Sequence, residues 1–380
     1  MKLFRGVIST FCALWLLVDQ TAAQDNAVFT ARQAAKDLNN ATAQLKIATQ
    51  ARDRIAALTS AVKAYEKGLR AMRASLRAAA VRERTLRLQF TARRDQIARL
   101  LGVLQTLERA STPLLLIHPS GPLGTARSGQ ILSQVTPALQ ARAEEIKLEL
   151  EELILLQALQ TSARDDMVAG LQAVQNARVA LTKSIDQRTD LPKRFVSDPV
   201  RLQIMVDNST TLAGFANGLA DLPFDSAPDE SAGFAAGKGS IPLPVFGTLL
   251  RGFNEADAAG VRRPGIVLSA PPVSLVTTPW AATIRYRGPF LDYGNVIVLE
   301  PGAGYLMVIA GLGQVYGEVG DILIPGDPVG LLGGSEPAST DFLTVASQGS
   351  SAKRQETVYI EIRRDETSEN PEEWFAFTDK

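Results

Sequence analysis

Tyr293-Gly294-Asn295-Val296-Ile297-Val298-Leu299, followed by the turn Gly302-Ala303-Gly304 and then Tyr305-Leu306, sets the character of the last third of the chain. A run of β-branched and large aliphatic residues bounded by glycines reads as a buried strand. Thr357-Val358-Tyr359-Ile360 is a second such run, and Arg287-Gly288-Pro289 and Pro325-Gly326-Asp327 are further turn signals. Residues 241–380 are therefore expected to form a compact, mostly antiparallel β-domain with little helix.

Upstream the texture is helical. Residues 29–110 contain almost no Gly or Pro. Ile55, Leu58, Val62, Tyr65, Leu69, Met72 and Leu76 alternate at spacings of three and four, which argues for a coiled coil. As one helix this tract would be on the order of 120 Å long. Residues 111–137 carry Thr112-Pro113, His118-Pro119, Gly121-Pro122 and Gly124, and read as a break. A second apolar stripe follows over 138–188. Two long helices and a breaker predict an antiparallel hairpin over 24–190. Charge agrees: 29–110 holds 17 Lys and Arg against 6 Asp and Glu, whereas 138–166 holds 3 against 7. The basic arm reads either as a patch for an anionic partner or as a solvated face neutralised by the return helix.

Ser197-Asp198-Pro199 is a helix start signal. Over 197–220, Leu202, Met205, Val206, Leu212, Phe215 and Leu219 share roughly one face of a single short helix. A segment rich in Pro, Gly, Ala and Ser, 221–240, is expected to be a linker. The N-terminus reads as a secretory signal peptide over 1–23, with Lys2 and Arg5, an apolar run from Val7 to Val18, and Thr21-Ala22-Ala23 as the cleavage site. That run is shorter than the ~20 residues a spanning helix needs; the alternative is an uncleaved anchor. Cys12 is the only cysteine and lies within it, so the mature chain would have no disulfide and no Cys-metal site, as suits an oxidising compartment. The formal net charge of zero points away from nucleic acid and from polyanions generally.

The β-domain resembles the LytM (M23) peptidase family over 241–375. Pro244-Val245-Phe246-Gly247, Gly265-Ile266 with Ala270-Pro271-Pro272, Tyr293 to Leu299, Gly304-Tyr305-Leu306, Val319-Gly320-Asp321, Gly326-Asp327-Pro328-Val329-Gly330, and Tyr359 to Arg364 with Asn370-Pro371 and Trp374 carry the resemblance, in that order. It implies where zinc would sit in an active relative, and the residues there are Arg263, Val267, Gly311, Thr357 and Tyr359. None offers imidazole or carboxylate, and Zn²⁺ takes only N, S or O donors, three of them from the protein at a catalytic site. The chain's one histidine, His118, falls in the hairpin's breaker and reads as a loop residue. The resemblance thus implies a degenerate domain with no cofactor, no metal and no hydrolase activity.

A signal peptide, a coiled coil, a short helix and a degenerate LytM domain together resemble EnvC-type murein hydrolase activators. The fold expected is α+β multidomain: a long antiparallel coiled-coil hairpin, a short regulatory helix and a C-terminal LytM-like domain. By resemblance, the chain would be periplasmic and act in cell division and daughter-cell separation. The coiled coil would engage the FtsEX transporter, and the groove would bind an N-acetylmuramoyl-L-alanine amidase, with peptidoglycan as a further possible contact. The regulatory helix would lie over 191–220, blocking the groove through Leu202, Met205, Val206 and Phe215; the alternative is a helix packed on the base of the hairpin. Val267, Tyr293, Tyr359 and Arg363 are the candidate groove contacts, against a reading as ordinary β-core. Tyr359 and Arg363 alternate along one strand and so share a face. Two other readings stay open: a periplasmic adaptor of a secretion or efflux system, since Gly320-Asp321 and Gly326-Asp327 are similar to a lipoyl turn, and a structural peptidoglycan-binding protein.

Overall fold

The computed structural model describes residues 33, 36–48, 50–109, 121–188, 191–193, 199–220, 231–302, 304–335 and 355–377. The expected signal peptide, Cys12, His118, Ser197-Asp198 and the first half of the linker lie outside them. The described residues divide into two compact units, one within 72–168, the other within 33–71 together with 169–377.

Helices come first along the chain: α1 over 36–47, α2 over Ala51–Ala92, α3 over Arg94–Arg109 and α4 over Gly121–Asp186. The first unit holds the far parts of α2 and α4 together with α3. There Arg82 grips Glu152 through Nε and Nη2 at 2.7 and 2.9 Å, and Gln160 donates to Glu83 at 2.9 Å. Further along, Arg93 reaches Glu149 at 3.3 Å. From Glu83 to Arg93 the partner moves back along α4 from Gln160 to Glu149, so these segments run antiparallel. Arg82 and Glu152 are substantially exposed, and such pairs contribute at most ~1 kcal/mol each; they select register more than they add stability.

Helix α4 corrects the expected break at 111–137, because it starts at Gly121 and runs through Pro137. Pro122 falls in its first turn, where a missing N–H costs nothing. Pro137 removes one helical hydrogen bond from a helix of 66 residues, which the remaining turns absorb. The expected continuous helix from 29 is also interrupted. Lys67 pairs with Asp37 at 3.4 Å, although a single helix would hold them about 45 Å apart. Instead α1 folds back beside α2, where small buried residues, Ala57, Ala61 and Ala64, allow close approach and Ala41 is 1% exposed.

In the second unit a ten-stranded antiparallel sheet dominates, ordered β1-β2-β9-β6-β5-β4-β7 along its main path. The strands are β1 Thr248–Arg251, β2 Ile266–Ala270, β3 Leu275–Thr277, β4 Ala282–Pro289, β5 Asn295–Gly302, β6 Tyr305–Val315, β7 Ile322–Leu323, β8 Pro328–Leu332, β9 Glu356–Arg364 and β10 Thr367–Glu369. Side chains alternate between two faces, and both faces are covered. One carries Ile266, Leu268, Ile297, Leu299, Met307, Ile309, Val358, Ile360 and Ile362, packed with Trp374, Phe375 and Phe234. Phe234 lies on α7, Ser231–Ala236, so the second half of the expected linker is in fact a helix locked into the β-core: Phe234 stacks on Trp374 with centroids 4.6 Å apart. A bulky aromatic followed by small residues made this segment burial-competent despite its loop-like composition.

The first part of α2 and the last part of α4 belong to this same unit. Glu66 on α2 accepts from Arg178 on α4 at 2.8 Å and from the backbone N–H of Leu275 on β3 at 3.0 Å. Thr182 and Tyr316 share a hydroxyl hydrogen bond at 3.0 Å. Burial raises the Glu66 carboxyl above its ordinary range, with Arg178 opposing.

Candidate functional site

The second face of the sheet carries the candidate site. Val267 on β2, Val296 and Val298 on β5, Leu306, Val308 and Ala310 on β6, and Tyr359 on β9 point to it by the same alternation. Val267 lies opposite Tyr359 in the β2–β9 ladder, and Ala310 opposite Tyr359 in β6–β9. Several of the candidate positions named from the sequence meet on or beside this face. Arg263 lies with its guanidinium 5.3 Å from the Tyr293 ring centroid, and that ring is 5.9 Å from Tyr359. Gly311 has φ of +92° and approaches Thr357 so closely that a Cβ would sit 2.6 Å from its carbonyl oxygen. Gly265 passes over Tyr359, where a Cβ would lie 2.6 Å from both that ring and the Ile360 carbonyl oxygen. What gathers at these positions is a cation, an aliphatic side chain and phenols. Among the described residues there is no cluster of three or more His, Cys, Asp or Glu that could hold a metal ion.

Tyr359, Glu361 and Arg363 form a buried polar ladder on this face. Tyr359 Oη donates to Glu361 Oε2 at 2.8 Å, and Arg363 Nη1 donates to Glu361 Oε1 at 2.5 Å and to Ser368 Oγ at 2.8 Å. Ser368 Oγ donates in turn to Glu361 Oε1 at 2.8 Å, and Arg363 Nη2 donates to the Glu366 carbonyl at 2.7 Å. Burial and the adjoining Glu361 carboxylate push the Tyr359 phenol far above its ordinary pKa. A charge pair this deep persists because each member is bonded several times.

The face is not open. Residues 197–220 do not form one helix but two, α5 Pro199–Asn208 and α6 Leu212–Ala220. The run Asn208-Ser209-Thr210-Thr211 supplies the break, and Thr211 caps α6 by accepting from the Gly214 N–H at 3.1 Å. Helix α6 lays Leu212, Phe215, Ala216 and Leu219, all 3% exposed or less, into the apolar cluster of this face. Each of the larger three contributes about 2 kcal/mol by burial. Phe215 is held by Tyr286 and Phe290. Leu202, Met205 and Val206 on α5 are only partly buried against the same cluster, and Val200 and Ile204 point to solvent. Two arginines fasten α6: Arg363 Nη2 donates to Asn217 Oδ1, and Arg285 Nη2 to the Leu219 carbonyl at 2.5 Å, while Arg285 Nη1 pairs with Glu300 at 2.9 Å.

The structure thus brings Arg263, Val267, Tyr293, Thr357, Tyr359 and Arg363 to one face, with Gly311 packed against the Thr357 backbone and Phe215 in the helix across the face. Sequence reading missed Arg285, Tyr286, Phe290 and Asn217. A signal for the first existed, since Arg285 is a charge inside the apolar run Ala282 to Tyr286 and so had to be paired. Nothing local marks Asn217.

No family model matches the chain. It is similar to an uncharacterised protein of Neisseria meningitidis serogroup B, 25% identical over 142 residues, 37% of this chain but 21% of that protein. Among solved structures it is similar to Helicobacter pylori Csd3, at 18% identity over 36% of this chain and 35% of that one, with a TM-score of 0.27. A zinc-containing peptidase from Vibrio cholerae gives 13% identity, 36% and 39% coverage and 0.27; lysostaphin gives 13%, 37% and 61%, and 0.28. The chain spans about a fifth of the curated relative it matches and about a third of Csd3.

Proposed function

We propose that this protein is a non-catalytic regulator whose degenerate LytM-like groove binds a helix of a partner, and that α6 occupies the groove until the partner displaces it. The observation that carries this is the burial of Phe215, Leu212 and Leu219 on the face that also holds Val267 and Tyr359, with Tyr293 and Arg263 beside them. A peptidase groove without its metal remains a preformed site for a helix or peptide. The partner proposed is an N-acetylmuramoyl-L-alanine amidase in the periplasm, in the splitting of daughter cells. The coiled-coil hairpin is proposed to engage the FtsEX transporter. The charge asymmetry of the two arms and the heptad pattern support a hairpin; the amidase and the transporter rest on the resemblance to EnvC-type activators.

Dye release from labelled peptidoglycan tests this. An amidase is assayed alone, with the full chain, and with the chain lacking 197–220. The deletion is expected to stimulate the amidase above the intact chain. Equal stimulation by both would remove the regulatory role from α5 and α6, and no stimulation by either would remove the amidase.

A further inference from the structure

Arg285 and Arg363 hold α6 through two different kinds of acceptor. Arg285 takes the main-chain carbonyl of Leu219 in the last turn of α6, an acceptor that any helix end presents. Arg363 takes the side-chain oxygen of Asn217, which depends on the residue there. The Nε and Nη2 groups of an arginine leave from one edge of the guanidinium, the edge that grips a carboxylate with two parallel bonds. Asn217 engages only Nη2. The Arg363 side chain is 3% exposed, and among the described residues its Nε has no hydrogen-bond partner. The edge is therefore half used by the chain's own helix.

We infer that the groove is built for a short amphipathic helix carrying a carboxylate at the place of Asn217, which takes both Nε and Nη2 of Arg363. The inference rests on the reading of α6 as a displaceable occupant and names the chemistry of what displaces it. Helix α6 has the properties of a weak stand-in: nine residues, two of them Gly214 and Gly218, too short and too glycine-rich to persist undocked. Glu361 does not stand in the way, because it bonds the other side of the guanidinium through Nη1 and spreads its charge over the Tyr359 and Ser368 hydroxyls.

Two measurements test this without an amidase. First, Asn217→Asp in the full chain is expected to slow amide hydrogen exchange in α6 about fivefold or more, at an unchanged far-UV circular dichroism spectrum. Unchanged or faster exchange overturns the inference. Second, fluorescein-labelled synthetic peptides of residues 199–220, with Asn217 or with Asn217→Asp, are titrated onto the full chain. The Asp peptide is expected to bind about five- to tenfold more tightly, and the two to bind alike on the Arg363→Lys chain, which keeps the charge but lacks the fork. A preference that survives Arg363→Lys, or one for the Asn peptide, overturns the two-bond assignment. If Asn217→Asp slows exchange in the full chain but neither peptide binds, displacement of α6 by a helix falls and the carboxylate preference stands.

Discussion

Phe215 stacks on Phe290 with ring centroids 4.7 Å apart and planes 27° apart, and presents an edge to Tyr286 at the same 4.7 Å and 75°. A residue of a short helix thereby fills an aromatic slot at the end of β4, on the sheet face that holds Val267 and Tyr359. The slot is lined on both sides and fully dry, since Phe215 is 0% exposed.

Phe215→Ala should therefore undock α6 rather than unfold the sheet. Truncating a fully buried Phe costs about 3–5 kcal/mol, more than a nine-residue helix has to spare. Limited proteolysis should cut between 199 and 220 at least tenfold faster, while the thermal transition of the β-domain moves little. Unchanged protection of α6 would show that the slot is not what holds it.

The purified chain should hold no stoichiometric zinc and release no dye from sacculi by itself. Arg263, Val267, Gly311, Thr357 and Tyr359 supply neither imidazole nor carboxylate where a catalytic zinc needs three ligands. Elemental analysis checks the first statement; a chelator-sensitive digestion by the chain alone would contradict the second.

Gly265→Ala should destabilise the second unit by about 1–3 kcal/mol. The new methyl group would lie 2.6 Å from the Ile360 carbonyl oxygen and from the Tyr359 ring, and β2 and β9 are paired there. The Tyr359 ring is hemmed in as well by its bond to Glu361, so it cannot swing aside at no cost. A denaturant midpoint equal to that of the unaltered chain would mean that the strands separate freely.

Glu66→Ala should cost about 3–5 kcal/mol, because it removes the carboxylate that pairs with the buried Arg178 and leaves the Leu275 N–H without its acceptor. Glu66→Gln keeps an acceptor for Leu275 and should cost less. Equilibrium unfolding of the two variants checks the order, and equal losses would assign the whole effect to the ion pair.

Much of the β-domain was legible in one dimension. The runs Val296 to Leu299 and Val358 to Ile360 form strands as read, because unbroken β-branched patterning leaves few other ways to bury such residues. Val267, Tyr293, Tyr359 and Arg363 were singled out as candidate groove contacts only through family resemblance. The hairpin's interruptions were not: the heptad pattern of 29–110 is continuous enough to hide the fold-back of α1, which depends on alanines on α2 lying opposite Ala41. The stretch 231–240 has the composition of a linker, and only the pocket left by Trp374 and Tyr305 explains why Phe234 ends in the core.

By itself the sequence determined that the upstream part is helical and the last third rich in strands, and that Tyr359 and Arg363 share one face. These follow from residue chemistry and from the period of two along a strand, both local. Only the tertiary structure decided that Asn217 and Leu219 meet Arg363 and Arg285, 146 and 66 residues away. It also decided that Arg363 and Glu361 are buried, with α6 bonded to Arg363. Those contacts depend on where α6 lies against the sheet, and the free energy that holds it there comes from side chains distant in sequence, which no local pattern records.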